Sequence, residues 1–141
     1  MKSIKLSLSS KSITGWDAAV CLVEAYLTGE QKADRLLDQI PVDFIGDRRA
    51  ACQSLFFGAL RHGHRTKAAL KKLLRKKTKS SVEAVLLVSG YEILDAEADR
   101  HPKIIHHAVE RSKQVVNRFD QGFLNAILRK LPGALEQMNA Q

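Results

Sequence analysis

Apolar residues recur at helical spacing along almost the whole chain, and no turn carries the signature of a β-hairpin. Strand faces alternate every second residue, so this longer period confines the chain to helix-on-helix packing. Trp16, Ala19, Val20, Val23 and Leu27 form the inner stripe of a first helix. That helix opens at Thr14, holds Asp17 in a capping-box-like position and ends at Gly29. Ala33, Leu36, Leu37 and Ile40 share one face of a short second helix stopped by Pro41. A third helix is predicted from Asp47, as N-cap, to about Arg61, with Ala51, Leu55, Gly58 and Ala59 on one face. The small pair leaves room for another backbone to approach. His62-Gly63-His64 reads as a break, after which a fourth helix turns Leu70, Leu73 and Leu74 inward.

Ser80-Ser81-Val82-Glu83 reads as a capping box opening a fifth helix, apolar nearly all round over 82–94 and therefore the buried centre. Pro102 suits the first turn of a sixth, with Ile105, Ala108, Val109, Ser112 and Val116 on its inner face. Asp120 caps a seventh, striped by Leu124, Ile127, Leu128 and Leu131 and ended by Pro132-Gly133, with a last turn or helix beyond. The expectation is an all-α bundle of seven helices in one domain, 14–141, preceded by a flexible basic segment, 1–13. A length of 141 residues suits one domain with a sizeable core. No run approaches the roughly 18 apolar residues of a membrane span, and residues 6–12 are too polar for a signal-peptide core. A cytoplasmic protein is predicted. Cys21 and Cys52 lie in apolar helical patterns and read as small core residues in a reducing compartment.

Charge is segregated. Between Asp47 and Glu83 stand eleven Lys and Arg and no carboxylate: Arg48, Arg49, Arg61, Arg65, Lys67, Lys71, Lys72, Arg75, Lys76, Lys77 and Lys79. The rest of the chain counts 12 basic against 15 acidic residues, so the formal +8 is +11 here and −3 elsewhere. Such a local excess attracts phosphate backbones or an acidic partner, against the plainer alternative of a solvated helix face. Lys67, Lys71 and Arg75 fall at i, i+4 and i+8, where like charges oppose the helix by a few tenths of a kcal/mol per pair, roughly. An anionic partner would relieve that repulsion.

Catalytic and metal chemistry finds little support. The chain has no glycine-rich phosphate loop, no GxSxG elbow and no HExxH. His62 and His64 flank a glycine and His106 and His107 are adjacent, without a Cys or carboxylate at companion spacing, so no metal ligands are assigned. His62 and His64 are expected to extend the basic surface instead. Glu92, Asp95, Glu97 and Asp99 read as a solvated acidic surface rather than a carboxylate pair. No enzyme activity, catalytic residue or cofactor is expected. Phe119 and Phe123 flank the start of the last helix beside Arg118 and Asn125. Partial exposure is expected of Phe119, whereas Phe123 suits base stacking and inward packing equally well.

Four segments in order resemble a known family: Gly58-Ala59-Leu60-Arg61, Gly90-Tyr91-Glu92-Ile93-Leu94, Ala108-Val109-Glu110, and 122–129, Gly-Phe-Leu-Asn-Ala-Ile-Leu-Arg. They are similar to the NusB family over about 16–131, and somewhat closer to the NusB-like N-terminal domain of 16S rRNA cytosine-5 methyltransferases. The resemblance implies a bundle of two packed helical subdomains. It also implies RNA binding of boxA or ribosomal RNA, with a small-subunit ribosomal protein and transcription factors as partners, in antitermination. The 141 residues are taken up by the helical module, so no methyltransferase unit is expected within them.

Two departures stand out. The arginine-rich start of the family's first helix is replaced by Lys2, Lys5 and Lys11, and its usual Asn-Glu by His106-His107. The segment around Phe123 does match, so an RNA contact by Phe123 is implied. The RNA-contacting set predicted is Arg61, Arg65, Lys67, Lys71, Lys72, Arg75, Lys76, Lys77, Lys79, Arg118 and Phe123. A protein-interaction adaptor and an accessory subunit of a separate rRNA methyltransferase are the alternatives.

Overall fold

The computed structural model describes residues 13–29 and 31–139; the basic N-terminal segment expected at 1–13 lies outside these apart from Ile13. Every regular element among the described residues is helical: α1 (Gly15–Leu27), α2 (Ala33–Leu37), α3 (Gly46–Leu73), α4 (Ser80–Leu94), α5 (His101–Ser112) and α6 (Arg118–Asn139), with one 3-10 turn at Ala98–Arg100. Six α-helices therefore replace the seven expected.

The difference lies at glycine and proline. His62-Gly63-His64 does not break the chain, and the expected third and fourth helices are one helix of 28 residues, about 40 Å long. Gly63 costs about 1 kcal/mol relative to alanine inside a helix. Phe56, Ala59, Thr66, Ala69 and Leu70 are buried on both sides of it and hold the segment against the core. Likewise Pro132-Gly133 does not end α6, which runs on to Asn139. The missing proline N–H costs about 3 kcal/mol. Leu131 and Leu135, fully buried on either side, each contribute about 2 kcal/mol and offset it.

Caps also differ from expectation. Thr14 and Asp17 form the reciprocal capping box predicted for α1. The N-cap of α3 is Ile45, not Asp47, and that of α4 is Lys79, with no side-chain bond at either. Ser80 instead donates its hydroxyl to Glu24 Oε2 at 3.0 Å, tying the start of α4 to α1. At α6 the capping oxygen belongs to Asn117, whose Oδ1 accepts from the Asp120 backbone N–H at 3.1 Å.

The most extensive packing joins α3 to α4, which run antiparallel: Tyr91 meets Gly58 at one end, and Glu83 meets Lys67 at the other. A Cβ on Gly58 would stand 2.3 Å from Tyr91 Cε2, and one on Gly90 would stand 2.4 Å from Thr66 Oγ1. The room left by Gly58 is thus filled by an aromatic ring rather than a neighbouring backbone. As predicted, α4 is buried nearly all round, from Val82 and Ala84 through Gly90 to Ile93. One buried cluster draws on all six α-helices.

Candidate nucleic-acid interface

Helix α3 ends at Leu73, and the chain leaves it in extended conformation at Leu74. Lys71 and Lys72 lie in its last turn, where the negative end of the helix dipole favours cations. The connection to α4 then supplies Arg75, Lys76, Lys77 and Lys79, all exposed. Because the helix stops early, Arg75 does not continue the helical line of Lys67 and Lys71. The three side chains nevertheless meet at one groove of about 320 Å³, lined by Lys67, Leu70, Lys71, Leu74, Arg75, Lys76, Lys77, Thr78 and Glu83.

Five of the eleven predicted contact residues therefore line a single concavity: Lys67, Lys71, Arg75, Lys76 and Lys77. Lys72 is exposed in the same turn of α3 but outside that lining. Lys79 is engaged, its Nζ 3.0 Å from Asp120 Oδ2, so it acts first as a tie between the loop and α6. Arg61 is exposed and Arg65 half-buried further back along α3. Arg118 opens α6, where Phe119 is 92% exposed and Phe123 45% exposed. Four residues apart, these two rings lie on one face of the helix. Phe119 is more open than the sequence indicated, and Phe123 is not a core residue.

Sequence reasoning missed the groove's floor and its one carboxylate. Leu70 and Leu74 read as inward-facing, which conceals that they also line the groove. Glu83 read as a capping residue, and with no capping bond made its Oε2 stands 3.9 Å from Lys67 Nζ. His62 does not extend the cationic surface as expected; it is half-buried, its ring stacked on Tyr91 with centroids 5.6 Å apart, while His64 is exposed.

The opposite end of α4 carries a different polar junction. Glu92 separates from the exposed Asp95, Glu97 and Asp99, correcting their expected grouping. Its Oε1 accepts from the Trp16 indole N–H at 3.0 Å. Burial pushes its carboxyl up to about 7, against the opposing effect of that hydrogen bond. His107 packs edge-on against Trp16, and burial, then the Arg111 charge, holds its imidazole below the usual range. Asp17, buried, pairs with Arg111, whose Nε lies 3.1 Å from Asp17 Oδ1. Arg48 donates to the Ile13 carbonyl and stacks over Phe44, 3.6 Å from its centroid.

Burial raises the Cys21 thiol to about 11 and the Cys52 thiol to about 12, leaving both protonated and unreactive at neutral pH. Among the described residues, no group of three or more His, Cys, Asp or Glu could hold a metal ion, and no helix is long and apolar enough to cross a membrane.

An all-helical bundle with a cationic groove at one end is the class these features define. The model of the NusB family matches residues 17–132, and the chain belongs to that family. No individual curated protein and no solved structure gives a significant match.

Proposed function

We propose that this chain is a non-catalytic RNA-binding protein of NusB type. In this reading it acts in the cytoplasm, in transcription antitermination and in the synthesis or maturation of ribosomal RNA. Membership of the family supports an RNA-binding, antitermination type of role in general. The observation that carries the reading here is the groove itself: five cationic side chains line it with a single carboxylate. Cations arranged this way release counterions from a phosphate backbone, so affinity should fall with salt at a slope of roughly −0.7 per contacted phosphate of a single strand.

The test is reversal of Lys71, Lys72, Arg75 and Lys76 to Glu, all four exposed and therefore removable without disturbing the core. Filter binding of boxA-containing and scrambled RNA, with and without a small-subunit ribosomal protein, should lose its signal in this variant while helical circular dichroism persists. Undiminished RNA affinity in the folded variant would exclude the groove as the binding surface.

A second reading is docking of a protein partner, either a transcription factor or a separate rRNA methyltransferase. The exposed apolar side chains Val42 and Ile45, in the loop before α3, favour it. Co-purification that survives nuclease and high salt, and is lost in Val42→Ser/Ile45→Ser, distinguishes this reading from the first.

A further inference from the structure

Glu83 is out of place in a groove that serves phosphate alone. Its side chain is 20% exposed, lines the groove and stands 3.9 Å from Lys67 Nζ. A carboxylate there repels every phosphate that the surrounding cations attract. In the first turn of α4 it complements the helix dipole but makes no side-chain cap bond, so its carboxylate oxygens stay available to the groove. The floor is equally unsuited to phosphate, because Leu70 and Leu74 form part of the lining beside Thr78. A volume of about 320 Å³ lies at the lower end of the range for small-molecule clefts, roughly 300–1,000 Å³. That is room for about one nucleotide and too little for a duplex.

We propose that this groove seats one unpaired base of the RNA. The base lies on Leu70 and Leu74, the flanking phosphates meet Lys67, Lys71 and the Arg75–Lys77 loop, and an exocyclic amino group of the base donates to Glu83. The proposal rests on the RNA-binding reading above and adds a base preference to it. An ionised carboxylate accepts hydrogen bonds and donates none. It therefore selects a base edge that carries an amino group, as cytosine does at N4, over uracil, which offers a carbonyl at that position. Lys67 offsets part of the carboxylate's charge, so the phosphates on either side are still held.

Oligocytidylate and oligouridylate of equal length carry equal charge, and their binding to the full chain and to Glu83→Gln tests the proposal. The native protein should favour oligocytidylate by roughly 3- to 10-fold, the range for one hydrogen bond. In Glu83→Gln the ratio should collapse toward one, because an amide both donates and accepts. Equal binding of the two oligomers by the native protein overturns the base seat while leaving phosphate binding intact. So does a Glu83→Gln variant that binds both more tightly with the ratio unchanged, which makes Glu83 a repulsive charge and nothing more. Failure of the native protein to bind either oligomer while boxA-containing RNA is still bound overturns the base seat alone; failure with all three removes the RNA-binding reading as well.

Discussion

Lys79 Nζ stands 3.0 Å from Asp120 Oδ2 and joins the loop after α3 to the first turn of α6. The pair is exposed on the Lys79 side, so it adds at most about 1 kcal/mol to stability. Its larger effect is on charge, because it occupies a cation at the edge of the groove. Asp120→Asn should therefore strengthen RNA binding by a few-fold. It should also steepen the salt dependence by about 0.7 in slope, as Lys79 gains a phosphate. Titrations over a range of KCl concentrations measure both. An unchanged slope would put the start of α6 outside the RNA footprint.

Gly58 has no space for a methyl group. A Cβ would lie 2.3 Å from Tyr91 Cε2 and 2.4 Å from its Cζ, and the ring is also stacked on His62. Gly58→Ala should gain a little helix propensity but lose more to overpacking, for a net destabilisation of about 1–3 kcal/mol in urea. In a Tyr91→Leu background the same substitution should cost less than half as much, because the two positions are coupled through one contact. Additive effects would mean that the ring moves aside freely.

The helical period made the core legible before any coordinates. Trp16, Val20 and Val23 on α1, Val82, 84–90 and Ile93 on α4, and Leu124, Ile127, Leu128 and Leu131 on α6 are all buried as their spacing predicts. The errors sit where local rules compete with tertiary packing. Gly63 and Pro132 are breakers by intrinsic preference, yet each lies between buried apolar turns that outweigh it. At the candidate site, charge clustering along the chain foretold the cationic groove, because all five of its cationic lining residues fall within eleven positions, 67–77. What spacing could not reveal was the long-range pairing of Lys79 with Asp120, or of Trp16 with Glu92, which depends on how distant helices meet. Glu83 was hidden for a different reason: its position fits a cap motif that the chain does not use.

Phe119 offers an exposed ring beside that same tie. At 92% exposure it contributes almost nothing to the core, so Phe119→Ala should leave the unfolding midpoint unchanged. Stacking of a base on an aromatic is worth about 1–3 kcal/mol per base by alanine substitution. If RNA leaving the groove passes the Lys79–Asp120 tie, Phe119→Ala should weaken single-stranded RNA by roughly 5- to 100-fold and leave duplex RNA unaffected. Parallel titrations with a single strand and its hairpin form read the difference. Equal losses for both would point to a disturbed surface rather than stacking.

Glu92 gives the chain a pH dependence of unusual sign for a carboxylate. Burial raises its carboxyl from 4.5 to about 7 in the folded protein. Below about pH 4.5 the group is protonated in both the folded and unfolded chains and costs nothing. As pH rises from there through 7, the unfolded chain loses the proton first and folding stability declines, and above 7 the full penalty is present. Glu92→Gln removes the titration while its amide oxygen still accepts from the Trp16 indole. The variant should match the native protein near pH 4.5 and exceed it by about 1–3 kcal/mol at pH 8. Trp16 is the sole tryptophan, so its fluorescence in urea titrations at the two pH values reports the midpoint directly. A constant difference between the two proteins at both pH values would show that Glu92 is already ionised in the folded state and that the indole bond, not burial, governs it.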